Sequence, residues 1–195
     1  MAITNQIIES KTYGDKAKFL VTAEDSEGKL LRAQVWIQPG AEGPPEHYHP
    51  IQSETFEVLK GQLNIIYEGQ EMVLFPGEKI TVEPNTLHKW YNDGHEELEA
   101  IVVLRPALKT EYFLESMYAL DYMGKLDKKG LPNPLQFAAI LNECYGELFV
   151  IGPPIFMQKF MAKVVGKIAK FIGFKGYVPF PKTVQNQEKK SVVNA

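Results

Sequence analysis

The chain has 195 residues, of which 45% are hydrophobic and 23% charged, and its formal net charge at pH 7 is −3. These are the values of an ordinary soluble globular protein that can bury a core. The single cysteine, Cys144, excludes an internal disulfide and favours a reducing compartment. The N-terminal residues show no secretory signal, and no stretch approaches the roughly eighteen uninterrupted apolar residues of a membrane span, so we expect a cytoplasmic protein.

Residues up to about 105 are predicted to form β-structure. Apolar and polar residues alternate along short runs at 18–22, 29–38, 54–59, 63–67, 71–75, 79–83, 87–91 and 98–104. The connections between these runs are short and rich in Gly, Asp, Glu and Pro. Such spacing is typical of an all-β sandwich or barrel.

The sequence does not show which of the two faces of the run at 30–38 points into the barrel. Arg32, Gln34 and Trp36 share one face, and aliphatic residues share the other. If the first face looks into the barrel, Arg32 and Gln34 would contact a substrate. A solvated outer face is the alternative.

Three of the four histidines and one acid form a pattern typical of metal ligands. His47 and His49 are two residues apart, so in a strand they share a face and lie roughly 7 Å apart along the backbone. Glu54 begins another alternating run, and His88 lies within the run at 87–91, on the same side as Trp90. A closed barrel would aim all four side chains inward, whereas an isolated histidine on an apolar face is more often a packed core residue.

This stretch resembles the cupin superfamily. The first cupin motif is glycine, five residues, His-x-His, three or four residues, glutamate, six residues and glycine. Four of its positions are filled, by His47, His49, Glu54 and Gly61. The opening glycine fits less well, because Gly40 lies one residue too far from the histidines and Gly43 lies two residues too near.

The second cupin motif is matched at Gly77, His88 and Asn92, whereas Glu83 replaces its proline and Asn85 its second glycine. Asparagine tolerates the left-handed backbone that this glycine would adopt, so the turn is expected to survive. The resemblance implies a cupin jelly-roll β-barrel, with all four of the family's metal positions filled by His47, His49, Glu54 and His88.

Three neutral imidazoles and one carboxylate leave a divalent ion with net positive charge and, in six-fold coordination, two free positions. Such donors suit Fe, Ni, Cu or Zn, and the resemblance adds Mn. We expect a metal-dependent enzyme acting on a small organic substrate, with a dioxygenase as the first candidate. The alternatives are a metal-assisted isomerase and a non-catalytic cupin that stores or senses a small ligand.

Apolar walls are expected around the substrate. They would come from some members of one set: Trp36, Phe56, Ile65, Phe75 and Trp90. Together with Arg32 and Gln34, the two tryptophans and Phe56 make up the predicted substrate pocket.

After Arg105-Pro106 the apolar residues recur at the spacing of a helix. Three helices are predicted, at 110–123, 135–150 and 155–172. The predicted division is a cupin barrel at 1–106, a three-helix extension at 107–175 and a flexible tail at 176–195. The extension would pack on the barrel or on a dimer partner, or cover the barrel mouth as a lid. The sequence Leu-Pro-Asn-Pro-Leu at 131–135 resembles an element of one group of small bacterial cupins. This resemblance implies no particular activity.

From residue 152 onward there are eight lysines and one acid. In the third predicted helix, lysines form a stripe beside a wide apolar face. Docking on the barrel or in a homodimer is the favoured interpretation, and peripheral membrane contact through residues 155–172 is the alternative. The arrangement of lysines and aromatic residues in this segment is not the pattern that a nucleic-acid platform needs, so no nucleic-acid partner is expected.

Overall fold

Buried and exposed side chains alternate along the strands, and this alternation builds the β core. The structure, a computed structural model, describes residues 2–181. In the strand Ser53–Lys60, Glu54, Phe56 and Val58 are buried and the residues between them are more exposed. Because successive strand residues point to opposite faces, each sheet presents one apolar face to the core.

Two antiparallel sheets form a cupin-like β core. The described strands are β1 Ile7–Ser10, β2 Asp15–Val21, β3 Leu31–Ile37, β4 His47–Tyr48, β5 Ser53–Lys60, β6 Leu63–Tyr67, β7 Gln70–Leu74, β8 Lys79–Val82, β9 His88–Tyr91, β10 Leu98–Arg105 and β11 Phe149–Val150. One sheet has the order β1-β2-β3-β10-β5-β8, and the other β11-β4-β9-β6-β7. The predicted all-β core followed by three helices is confirmed.

The helices follow the barrel in sequence. Helix α1 is Thr110–Tyr122 and α2 is Pro134–Glu143. The third, α3, runs through residues 155–171 as Ile155–Phe160, a π-helical turn Met161–Val165 and Gly166–Phe171. Within the described residues, no helix has both the length and the apolar character needed to cross a membrane.

Helix α2 is shorter than the predicted helix at 135–150. It begins where the Asn133 side chain accepts a hydrogen bond from the Leu135 amide, with Pro134 in the first turn. It ends at Glu143, shortly before Gly146 adopts a φ of +82°. The chain then extends into β11, a strand that the sequence did not predict.

The extension packs on the barrel through hydrogen bonds that α1 makes with β1, with β2 and with the residue before β1. The Gln6 amide donates to Glu115, the Ser10 hydroxyl to Asp121 at 2.7 Å, and the Tyr118 hydroxyl to Asp15 at 2.5 Å. The extension is thus in contact with the barrel of its own chain.

The first residues of the predicted tail pack against α1. Val178 and Phe180 are buried, the Val178 amide donates to Ser116 Oγ at 3.0 Å, and the rings of Phe180 and Tyr122 are in contact. The packed chain therefore extends beyond the predicted boundary at 175. The rest of the predicted tail, 182–195, lies outside the described residues.

Asp15 makes the stability of this interface dependent on pH. Burial raises the pKa of Asp15 to about 6, because the hydrogen bond from Tyr118 only partly offsets the cost of burying its charge. A raised carboxyl pKa favours folding while the group is protonated, so its contribution falls as pH rises from about 4 to about 6. We expect Asp15→Asn to gain stability on the order of 2 kcal/mol relative to wild type between pH 4 and pH 7.

Urea unfolding at several pH values measures this gain. Glu9→Gln is the control, since Glu9 is an exposed carboxylate on the neighbouring strand β1. The control should run parallel to wild type across the pH range. A curve for Asp15→Asn that also runs parallel would contradict the assignment.

Candidate metal centre

Four side chains from the two sheets meet in the barrel interior. His47 lies on β4 directly opposite His88 on β9, and the two strands are paired at these residues. His49 follows two residues after His47, so both imidazoles point to the same side. Glu54 comes from β5 in the other sheet, on the same face as the buried Phe56.

The four groups are close enough to share one ion. One ligand atom from each of His47, His49, Glu54 and His88 lies within 4.8 Å of all the others. Glu54 Oε2 is 3.0 Å from His88 Nε2 and 3.7 Å from His49 Nε2. The exposed fraction of each residue is between 0% and 7%, so the cluster is shielded from solvent.

Backbone carbonyls fix the orientation of all three imidazoles. Each ring uses Nδ1 to contact one carbonyl oxygen: His47 that of Pro45 at 2.8 Å, His49 that of Glu147 at 3.0 Å and His88 that of Thr86 at 3.0 Å. A carbonyl can only accept, so Nδ1 carries the proton and Nε2 is the nitrogen free to bind a metal. Outer hydrogen bonds of this kind are typical of histidine metal ligands.

The contact between His49 and Glu147 was not predicted. Glu147 belongs to the helical extension, in the connection between α2 and β11, and β11 pairs with β4. The extension therefore helps to hold a side chain of the barrel cluster. A two-residue strand shows no periodicity, so the sequence offered no signal for this contact.

The cluster keeps its carboxylate ionised. Burial alone would raise the pKa of Glu54, but hydrogen bonds and charge interactions with His49 and His88 outweigh burial and hold that pKa well below its usual range. Burial also disfavours protonation of His88, yet the hydrogen bond to Glu54 raises the pKa of His88. Burial lowers the pKa of His47 to about 4. An anionic carboxylate and a neutral imidazole are the forms that bind metal ions, and Glu54 and His47 are held in these forms. A metal ion would displace the proton that His88 Nε2 shares with Glu54.

The donor set fits a divalent metal ion. One imidazole each comes from β4 and β9, the carboxylate comes from β5, and the third imidazole comes from His49, directly after β4. The backbone partners of the three rings fix the nitrogen that each ring presents. The buried cluster could therefore hold one such ion, and these donors are compatible with several first-row metals.

Two of the predicted pocket residues lie in the barrel interior. Phe56 is buried two residues after Glu54, Trp90 lies two residues after His88, and their ring centroids are 6.1 Å apart. Ile65, paired with Trp90 across β6 and β9, is also buried. Phe75 is half exposed beyond the end of β7 and is not an interior wall.

The other three predicted pocket residues lie elsewhere, which corrects their assignment. Arg32, Gln34 and Trp36 are on the outer face of β3, since the intervening side chains face the core. Gln34 donates to Glu99, and the Lys16 ammonium lies 4.6 Å from the Trp36 ring centroid. The polar side chains remain hydrated on this outer face at less cost than burial would impose.

Arg32 also lines a groove on the outer face of the six-stranded sheet. The groove has a volume of about 340 Å³, and Thr55, Glu57 and Lys79 are among the residues that line it. None of its lining residues is a member of the His47, His49, Glu54 and His88 cluster. The groove is therefore separate from the candidate metal centre.

Comparison with known proteins identifies relatives of the barrel region. The protein-family model for the cupin domain matches residues 34–104. Quercetin 2,3-dioxygenase of Bacillus subtilis is 33% identical over 106 residues, which cover 51% of this chain and 29% of that protein. Auxin-binding protein T85 of Nicotiana tabacum is 36% identical over 95 residues, which cover 41% of this chain and 50% of that protein. This chain thus spans half or less of the length of these two curated relatives.

A solved RmlC-like cupin from Shewanella frigidimarina is also similar. It is 24% identical with a TM-score of 0.46, and the match covers 57% of this chain and 94% of that structure.

Proposed function

Since the domain at residues 34–104 belongs to the cupin superfamily, we propose that this protein is a metal-dependent oxygenase acting on a small organic substrate. In this proposal His47, His49, Glu54 and His88 hold one divalent ion. The observation that carries the proposal is the common arrangement of the imidazoles: each Nδ1 is held by a backbone carbonyl, which leaves Nε2 for the metal. Three histidines that only packed in a core would not all need a backbone carbonyl at Nδ1.

When bound, an ion such as Fe, Mn, Ni or Cu supplies a Lewis acid and a redox centre. Zn would supply the Lewis acid alone. The residues of the chain position and shield the reaction. Glu54 lowers the net charge of the site, and the carbonyls of Pro45, Glu147 and Thr86 prevent the rings from turning.

Phe56 and Trp90 would form the apolar wall beside the ligands. Both lie on the strand faces that carry Glu54 and His88, and their rings are in contact. Such a wall excludes water and suits an aromatic or carbonyl-bearing molecule. Arg32, Gln34 and Trp36 take no part, because they lie on the outer face.

The test uses protein purified without chelator or nickel resin, in which elemental analysis identifies the metal. Quercetin is the first probe substrate, because the Bacillus subtilis relative is named for it. We expect oxygen uptake matched by loss of quercetin, and neither should occur after the metal is removed by dialysis against chelator. Conversion of a probe substrate without oxygen would favour the isomerase.

The second candidate is a cupin that binds or senses a ligand without catalysis. The burial of all four cluster residues favours it, as does the contact between the extension and His49. An auxin-binding relative gives auxin as the probe ligand. Azide titration of the cobalt-substituted protein separates the candidates, because a change in visible absorption requires an open coordination position.

The predicted homodimer and cytoplasmic location are retained as parts of this proposal. Light scattering of the purified protein measures the number of copies directly. Cell fractionation tests the location.

A further inference from the structure

Helix α3 presents an exposed apolar face that no other described residues cover. This face, here called the α3 apolar face, consists of Phe156, Phe160, Val164, Ile168 and Phe171. Phe156 is 72% and Phe171 91% exposed. Single exposed apolar residues are common, but five on one short helix form a contiguous patch of the kind that marks an interaction surface.

Packing of the opposite side of α3 fixes this face toward the outside. Ala162, Gly166 and Ala169 are the buried residues of the helix. A Cβ added at Gly166 would lie 2.3 Å from the carbonyl oxygen of Ala138 on α2, so the two backbones are in close contact. Because only small residues fit between these helices, α3 cannot roll to bury its phenylalanines against the barrel.

The surroundings of the α3 apolar face carry positive charge. Residues 151–181 contain five lysines and no aspartate or glutamate. Four of these lysines are exposed on α3, at positions 159, 163, 167 and 170. Lys170 pairs with Glu143 of α2 at 2.8 Å. The ammonium groups of Lys159 and Lys163 lie 5.6 Å and 5.9 Å from the ring centroids of Phe149 and Tyr145. Among the described residues, no acid forms a salt bridge with Lys159, Lys163 or Lys167, so their charges are available to an anionic partner.

We propose that α3 docks the protein on an anionic lipid surface. The α3 apolar face would enter the boundary between headgroups and acyl chains, and the lysines would contact the negatively charged headgroups. The helix would lie on the membrane, since no described helix can cross one. This surface uses none of the four candidate metal ligands and does not depend on the proposed enzymatic activity.

Charge complementarity favours lipid over a second copy of the chain. A symmetric contact between two such faces would bring the lysines of both copies together, and residues 151–181 supply no acid to compensate them. An anionic membrane offers negative charge at every point around the helix. The sequence left membrane contact as the less favoured alternative, and the exposure of Phe156 and Phe171 now gives reason to prefer it.

Contacts near the start of α3 connect the docking surface to the metal centre. The Gln158 side chain donates to the carbonyls of Val150 and Pro153 and accepts from the Val150 amide. Val150 belongs to β11 and pairs with His47 of β4. Docking would therefore set the orientation of the sheet that carries His47 relative to the membrane.

Sedimentation of the full chain with vesicles tests the proposal. We expect at least about tenfold stronger binding to phosphatidylcholine vesicles with about 30% phosphatidylglycerol than to pure phosphatidylcholine at about 0.1 M NaCl. Phe156→Ser combined with Phe171→Ser should lower that binding at least about tenfold. Phe75→Ser is the matched control, because Phe75 is exposed on a turn of the barrel, and its binding should equal that of wild type.

The contribution of charge is tested separately. Lys163→Gln combined with Lys167→Gln should remove most of the preference for anionic vesicles, whereas Lys128→Gln combined with Lys129→Gln on an exposed loop should not. Equal wild-type binding to both vesicle types, or unchanged binding by the phenylalanine variant, would overturn the proposal. A wild-type dimer that the phenylalanine variant converts to a monomer, without vesicle binding by either protein, would assign the face to a second copy.

Discussion

Replacing His88 with alanine is expected to remove the bound metal ion and leave the barrel folded. His88 is fully buried, and its Nε2 lies 3.0 Å from Glu54 Oε2 in the middle of the cluster. Without this ring, two imidazoles and one carboxylate remain. We expect metal content to fall from about one ion per chain to below about 0.1, as measured by elemental analysis after gel filtration.

The fold and the ligand role need separate measurements, because His88→Ala also removes a buried hydrogen bond, at a cost of roughly 1–3 kcal/mol. Circular dichroism reports the fold, and Glu54→Gln is a second variant that keeps side-chain volume while removing the charge. His95→Ala is the control, since His95 lies exposed in the β9–β10 loop. Unchanged metal content in folded His88→Ala would exclude His88 as a ligand.

The sequence could predict that the four cluster residues converge, because their convergence depends on the alternation of side chains along strands and on the residues that form the turns. His47 and His49 share a face because side chains alternate along a strand. Asn85 has a φ of +65°, as expected for an asparagine at a glycine position of the turn. The backbone N–H of Asn85 donates to the carbonyl of His49 at 2.7 Å, so this turn lies against the loop that follows β4.

The inward face of β3 could not be predicted because both of its faces carry large side chains. Alternation separates Trp36 and Arg32 from the aliphatic residues but does not say which set is buried. The choice depends on tertiary contacts, such as that of Lys16 over Trp36 and that of Gln34 with Glu99. These contacts join residues that are distant in the sequence, and the local sequence pattern does not show which residues will be partners.

The support that the extension gives to His49 was also beyond prediction, for a different reason. Glu147 acts through its backbone carbonyl, which every residue possesses, so its identity carries no signal. The strand β11 has two residues, too few for an alternating pattern. The exposed face of α3 was visible in the sequence, but whether it was covered depended on the close packing of Gly166 on α2.

Replacing Gly43 with alanine is expected to destabilise the barrel much more than the same change at Gly40. Both glycines precede β4 and both have positive φ, +63° at Gly43 and +78° at Gly40. An alanine in this backbone region costs about 1 kcal/mol at either position. A Cβ at Gly43 would also lie 2.0 Å from the carbonyl oxygen of Trp90, whereas a Cβ at Gly40 would have no neighbour within 4 Å.

This contact cannot relax cheaply, because the Trp90 carbonyl belongs to the backbone of β9, the strand that carries His88. We expect Gly43→Ala to lower the free energy of unfolding by about 3 kcal/mol or more and Gly40→Ala by about 1 kcal/mol, measured by urea unfolding. Displacement of β9 should also weaken metal binding in Gly43→Ala alone. Equal losses of stability in the two variants would mean that the loop before His47 adapts, and Gly43 would then have no special part in holding the ligands in place.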